Sequence, residues 1–169
     1  MDELLFNGAA LPAIRLLGKG KGGYSWLVKR AGQLCVLKQI HHEPCAYYTF
    51  GDKLESELND YQRLTKAGIP VPKLLDVDRP GERILKTYIE GPTIMELLNA
   101  GGEVSQYIPL VRAMARQAEA HGLNIDYYPT NFVVSGGSLC YIDYECNPYM
   151  DEWSFDRWGI EHWMPHGIS

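Results

Sequence analysis

The sequence has no apolar run that approaches the ~18 residues of a membrane-spanning helix. Its first residues also lack the basic and apolar pattern of a secretory signal, so we expect the protein to act in the cytoplasm and not at a membrane. Its four cysteines form no Cys-x-x-Cys pair, which argues against a zinc knuckle and against a disulfide framework. Positive charge is in deficit: 16 Lys and Arg against 21 Asp and Glu give a net charge of −5. A general affinity for nucleic acid is therefore not expected.

What remains is the composition of an ordinary globular protein. The 169 residues are 46% hydrophobic and 22% charged, which excludes disordered, collagen-like and coiled-coil classes. This length allows one domain or two small lobes, with a core large enough to fold without disulfides or a structural metal.

The N-terminal half shows mostly strand patterns. These cover residues 13–17, 24–29, 34–40, 74–77 and 83–88, so we expect an antiparallel sheet of about five strands. Between the third and fourth patterns the hydrophobic period changes to 3.6, which predicts a helix from Asp52 to near Gly68. The sequence Glu90-Gly91-Pro92 interrupts the regular structure.

The second half is predicted to be mainly helical. Thr93-x-x-Glu96 is a capping box that opens a short helix to Asn99, and helical spacing continues over 105–121. Two strands are predicted at 132–134 and 139–143, followed by an aromatic, partly helical segment. The fold class is therefore α+β.

The segment Gly18–Gly23 matches G-x-G-x-x-G, a pattern that is weak by itself. In a dinucleotide-binding fold these glycines open a helix, but here a strand pattern starts at Tyr24. A P-loop is also excluded, because no Gly-Lys-Ser/Thr follows at the required spacing. Two interpretations remain: a glycine flap whose backbone lies close to phosphates, or an ordinary glycine-rich hairpin.

Lys38 lies on an apolar strand face with Val36 and Ile40, where an unpaired ammonium is costly. At 100° per residue, Glu57 falls inside the apolar stripe of the following helix and so is the inward carboxylate. A Lys–Glu pair near a glycine flap is suited to positioning the phosphates of ATP. The alternatives are a purely structural salt bridge or a lysine that extends its ammonium to water.

Three oxygen-bearing side chains follow in order, with Asp126 and Asn131 five residues apart and Asp143 twelve residues later. Such a set can divide into one base and two magnesium ligands, because Mg²⁺ takes its remaining oxygens from phosphates and water. As alternatives, Asp126 can serve as a turn residue and Asn131 as a cap.

Taken together, these motifs resemble the protein-kinase-like superfamily, in the small atypical branch of RIO kinases, the KEOPS-complex kinase and bacterial lipopolysaccharide (Kdo) kinases. The resemblance spans residues 13 to about 145 and includes Ala-Gly-Ile-Pro-Val-Pro at 67–72 and Tyr-Ile-Glu-Gly at 88–91. It implies a minimal two-lobed fold, with an N-lobe at 1–88, a hinge at 89–92 and a short C-lobe at 93–169.

The resemblance also implies a function: transfer of the γ-phosphate of Mg-ATP to a hydroxyl, with protein Ser/Thr as the expected acceptor. A nucleotide-binding pseudokinase that acts through a partner and a small-molecule kinase are the alternatives. The implied site consists of Gly18, Gly20 and Gly23 in the flap, Lys38 and Glu57 at the phosphates, Thr87 and Ile89 at the adenine, Asp126 as base, and Asn131 and Asp143 on Mg²⁺.

The chain departs from the kinase pattern at several positions. Asn124-Ile125 replaces His-Arg before Asp126, Tyr128 replaces a lysine, and Asp143-Tyr144-Glu145 replaces Asp-Phe-Gly. Without that arginine, regulation by a phosphorylated activation loop is not expected. Only 26 residues follow Asp143, so we expect the helical substrate-docking subdomain of full protein kinases to be absent.

Overall fold

Antiparallel strand pairing dominates the first half of the chain. The structure is a computed structural model and describes residues 2–19, 23–40 and 52–165. The chain divides into two compact units: unit 1 comprises 1–58 and 72–88, and unit 2 comprises 59–71 and 89–169.

Unit 1 contains a six-stranded antiparallel sheet with the order β1-β2-β3-β4-β6-β5. The strands are β1 (Glu3–Phe6), β2 (Ala9–Lys19), β3 (Gly23–Arg30), β4 (Gln33–Ile40), β5 (Leu74–Asp78) and β6 (Arg83–Thr87). The expected number of about five strands was one too low, because β1 was not predicted. Asn7 and Gly8, both with positive φ, form the two-residue turn that pairs β1 with β2.

The buried side chains of this sheet form the core of unit 1. They are Phe6, Leu11, Val28, Cys35, Leu37 and Leu85. The strands predicted at 74–77 and 83–88 are confirmed and pair as the hairpin β5–β6. A tight turn joins β3 to β4, where Ala31 and Gly32 both have positive φ.

Helix α1 (Asp52–Lys66) confirms the helix predicted between the strand patterns. Leu54, Leu58 and Leu64 are buried along one face. The helix ends before Gly68, whose φ of 79° lies in the left-handed region that favours glycine at a helix C-terminus. The division between the two units falls inside α1, after Leu58.

Unit 2 contains helices α2 (Ile94–Asn99) and α3 (Ile108–Ala120). The capping box at α2 is confirmed: the Glu96 amide donates to Thr93 Oγ1 at 3.0 Å, and the Thr93 amide donates to Glu96 Oε1 at 3.1 Å. The single helix predicted over 105–121 begins instead with a 3₁₀ turn at Ser105–Tyr107.

Two small antiparallel sheets complete unit 2. Strand β7 (Leu123–Ile125) pairs with β10 (Cys146–Pro148), and β8 (Phe132–Ser135) pairs with β9 (Ser138–Tyr141). The first pair was not predicted, because three-residue strands are too short to show a period. The strand predicted to reach Asp143 ends at Tyr141 instead.

The aromatic C-terminal segment folds into short 3₁₀ and π-helical turns between Asp151 and Trp163. Trp163 is 1% exposed and donates its indole N–H to the Tyr127 carbonyl at 2.7 Å, whereas Trp153 is 50% exposed. Trp163 belongs to an extended core of unit 2 that also includes Leu64, Val111, Phe132 and Phe155.

The protein is thus a mixed α+β structure with an antiparallel sheet and few helices. Within the described part of the chain, no helix combines the length and apolar character needed to cross a membrane.

Candidate functional site

In unit 1, Lys38 and Glu57 form an ion pair between β4 and α1. Lys38 Nζ lies 2.6 Å from Glu57 Oε1, and both side chains are only about a tenth exposed. Strand alternation puts Lys38 on the face of Val36 and Ile40, and the helical period puts Glu57 on the buried face of α1. The second carboxylate oxygen, Glu57 Oε2, is buried and has no hydrogen-bond partner among the residues that the structure describes. The pairing predicted from the two periods is confirmed, and its role toward ATP stays a prediction.

The glycine segment joins β2 to β3. Gly18 lies in β2 and Gly23 begins β3, while Gly20 lies outside the described residues. Gly23 has a φ of 154°, and a Cβ there would sit 1.9 Å from the Gln39 carbonyl oxygen on β4. The close approach of β3 and β4 therefore requires glycine at this position.

Thr87 is the last residue of β6, and Ile89 follows two residues later. The Thr87 amide donates to the Lys73 carbonyl at 3.0 Å, and Thr87 Oγ1 accepts from the Lys73 amide at 2.9 Å. Because the Thr87 amide is engaged, a contact between Thr87 and an adenine edge would have to use the Thr87 carbonyl or its side-chain hydroxyl.

In unit 2, Asp126 directly follows β7. Its Oδ1 accepts from the Tyr128 amide at 3.1 Å, which is the side-chain turn anticipated as the alternative to catalysis. The Asp126 amide donates to the Tyr141 hydroxyl at 3.1 Å. One carboxylate oxygen thus serves a structural turn, and the backbone is held independently of it.

Asn131 ends the short 3₁₀ turn Pro129–Asn131 and is bonded to both neighbouring segments. Its Nδ2 donates to the Asp126 carbonyl at 3.3 Å, and its carbonyl accepts from the Ile142 amide at 2.9 Å. The second bond places Asn131 beside the residue that precedes Asp143. Two hydrogen bonds to backbone carbonyls, one from the Asn131 side chain and one from the Ile142 amide, therefore bring Asp126, Asn131 and the Asp143 segment together in unit 2.

Asp143 lies two residues beyond the end of β9, in the loop before β10. The adjacent Tyr144 is buried and packs on Tyr61 of α1, with ring centroids 4.6 Å apart. The loop closes at Cys146, which pairs with Ile125 and whose amide donates to Asp60 Oδ2 at 3.4 Å. These contacts give the Asp143 loop a defined path without the glycine of the kinase pattern.

No protein-family model and no curated protein matches the chain.

Asn131 and Asp143 supply oxygen donors of the type that a magnesium ion binds in proteins. Because Asn131 donates its Nδ2 to Asp126, its Oδ1 is the atom suited to a cation, and the Asp143 carboxylate belongs to the adjacent segment. Two protein oxygens are enough for an ion that keeps waters and phosphate oxygens as its other ligands. In the three described ranges, no group of three or more His, Cys, Asp and Glu side chains has metal-site geometry.

Two residues that organise the site were not singled out in the sequence: Asp60 and Tyr141. Each uses a polar group on an otherwise buried side chain to form a hydrogen bond with a backbone amide distant in sequence. Trp163, in the predicted aromatic segment, does the same with a backbone carbonyl. The aromatic residues among them could have been found from the sequence. A tyrosine or tryptophan at a buried position needs a hydrogen-bond partner for its O–H or N–H, which indicates a polar contact inside the core.

Proposed function

We propose that the protein is an ATP-dependent phosphotransferase with a minimal two-lobed protein-kinase-like fold, which moves the γ-phosphate of Mg-ATP to a hydroxyl acceptor. The expected acceptor is a Ser or Thr of a protein. The observation that supports this most directly is the low exposure and 2.6 Å separation of Lys38 and Glu57. A lysine held by a glutamate is the arrangement that kinases use at the nucleotide phosphates.

The residues of unit 2 support the same reaction. In the proposed transfer, the acceptor oxygen forms a bond to the γ-phosphorus, the bond from that phosphorus to the β,γ-bridging oxygen breaks, and ADP leaves. Asp126 would orient the acceptor hydroxyl and take its proton through the oxygen that is not bonded to Tyr128. Asn131 and Asp143 would hold Mg²⁺, which when bound neutralises phosphate charge. The proposal requires the residue sets of both units to act on one nucleotide.

One observation favours a second candidate, a nucleotide-binding pseudokinase that acts through a partner. Asp126 has a structural role in its turn, which explains an aspartate at this position without any catalysis.

The decisive experiment measures binding and transfer separately. At a hundredfold excess over Kd, Mg-ATP is expected to stabilise the protein by ~2.7 kcal/mol, or a melting shift of roughly 5–10 °C. Transfer is followed with γ-labelled ATP and Mg²⁺, alone and with cell lysate, by gel and by small-molecule separation. Absence of a melting shift at millimolar Mg-ATP contradicts the whole proposal.

Three variants separate the roles. Asp126→Asn should lower transfer by ~10²–10⁴ and keep the melting shift, whereas Asp143→Asn should reduce both. Asp156→Asn, at an exposed carboxylate paired with Arg112, is the matched control and should change neither. A wild-type shift without transfer to protein, sugar or lipid favours the pseudokinase. Transfer by Asp126→Asn at the wild-type rate shows that the base is elsewhere.

A further inference from the structure

The Tyr141 hydroxyl connects the two loops that carry Asp126 and Asp143. It accepts a hydrogen bond from the Asp126 amide at 3.1 Å and donates one to the Glu145 carbonyl at 2.8 Å. We call this pair of bonds the Tyr141 bridge. It joins residues 19 positions apart in sequence through a single oxygen atom.

The ring that carries this oxygen is enclosed in the core of unit 2. Tyr141 is 0% exposed, and its ring packs against Phe132, with centroids 5.2 Å apart. Its backbone amide donates to the Pro70 carbonyl at 2.9 Å. Because both the ring and the backbone are held, the position of the hydroxyl is set by the core of unit 2.

A tyrosine hydroxyl carries one proton to donate and lone pairs that accept. A protonated hydroxyl can accept from one backbone group and donate to another, which is the use made of it here.

Packing alone does not require the oxygen. Phenylalanine has the same ring and would fill the same space in the core, so the specific contribution of tyrosine is the bridge. The Asp143 loop is already held where Ile142 bonds Asn131 and where Cys146 bonds Asp60. The Tyr141 bridge adds a hydrogen bond at Glu145, between these two ends of the loop. Through the same hydroxyl, it connects the loop to the backbone amide of Asp126.

We propose that Tyr141 is a positioning residue that holds the backbone of Asp126 at a fixed place relative to the loop of Asp143. This inference rests on the proposed phosphotransferase function. In this proposal the Tyr141 bridge aligns the base, Asp126, with the magnesium-binding loop of Asp143. The rate of transfer depends steeply on this alignment, because a displacement of about 1 Å can lower the rate ~10²-fold.

The test is Tyr141→Phe, with two independent measurements. In steady-state kinetics with Mg-ATP, kcat should fall by ~10–100-fold while the KM for ATP changes by less than about 2-fold, because nucleotide contacts are kept. In hydrogen exchange, the Asp126 amide should exchange at least ~10-fold faster, because it loses its buried acceptor.

Val111→Ala is the matched control. Val111 is fully buried in α3 of unit 2 and belongs to the same core as Tyr141, so the variant lowers the melting temperature while the Tyr141 hydroxyl that forms the bridge is kept. It should leave kcat and the exchange of the Asp126 amide as in the wild type at a temperature where both variants are folded.

Each outcome decides a different point. Unchanged kcat in Tyr141→Phe, with a wild-type protein that transfers phosphate, overturns the positioning role and leaves the proposed function intact. An equal loss of kcat in Val111→Ala overturns it as well, because reduced stability then explains the loss. A wild-type protein without transfer overturns the proposed function, and unchanged exchange of the Asp126 amide overturns the bridge itself.

Discussion

The two units hold their candidate residues in different ways. In unit 1, Lys38 and Glu57 meet through one side-chain contact between a strand and a helix. In unit 2, Asp126 and Asn131 are held through backbone groups, by the Tyr141 hydroxyl and by Ile142. In helices and strands, the periodic spacing of side chains thus determines where a residue lies. In loops, hydrogen bonds to distant segments determine it.

The variant with the greatest expected loss of stability tests whether Lys38 and Glu57 act as a buried ion pair. Lys38→Met removes the ammonium from a carboxylate that is about a tenth exposed, and should destabilise the protein by ~3–5 kcal/mol in denaturant unfolding. The double variant Lys38→Met/Glu57→Met should recover most of this loss, because no buried charge is left. A double variant with the summed loss of its singles would show that the two residues act separately.

An intermediate effect is expected at two glycines, one in each unit. A Cβ on Gly23 would sit 1.9 Å from the Gln39 carbonyl oxygen, and a Cβ on Gly91 would sit 1.9 Å from the Val134 carbonyl oxygen. Gly23→Ala and Gly91→Ala should each cost about 3 kcal/mol, measured by thermal unfolding, because backbone atoms must move apart.

Matched controls for these variants are Gly32→Ala in unit 1 and Gly136→Ala in unit 2. Both glycines have positive φ, but nothing lies within 4 Å of the added Cβ. Their cost should be limited to the strain of the left-handed backbone, about 1 kcal/mol. Equal losses in the controls would contradict the importance of close approach.

The smallest effect concerns pH and the thiol of Cys146. Burial and the neighbouring Asp60 raise the pKa of Cys146 to about 12. Above pH ~8.5 the unfolded thiol ionises while the folded thiol stays protonated, so stability falls as pH rises. Between pH 8.5 and 10 the loss should be about 1 kcal/mol.

Cys146→Ala should flatten this pH dependence in chemical unfolding, measured between pH 8.5 and 10. Cys35 gives the parallel test in unit 1, because burial raises the pKa of its thiol too. Identical slopes for the wild type and Cys146→Ala would show that this thiol is not protected from ionisation.

The sequence was most informative where a period extends over several turns or strands. The bounds of α1, the β5–β6 hairpin and the inward direction of Glu57 all follow from spacing within one segment. The capping box at Thr93 could also be predicted from the sequence, because both of its hydrogen bonds join residues three positions apart.

The remaining features depend on contacts between segments far apart in the chain. Strands β7 and β10 have three residues each and exist because they pair with one another. The partners of Asp60 and Tyr141 are likewise set by the folded backbone. No local pattern specifies them, although the Asn-Gly turn before β2 was a local sign that went unused.

The burial of Trp163 allows the state of unit 2 to be followed by tryptophan fluorescence. Its indole N–H bonds the carbonyl of Tyr127, next to Asp126, while Trp153 faces solvent. The emission of these two tryptophans should differ in wavelength and in quenching by acrylamide. Trp26 and Trp158 are half-buried, so the blue-shifted, quencher-resistant component that disappears in Trp163→Phe would serve as a native fluorescent reporter of the loop that carries Asp126.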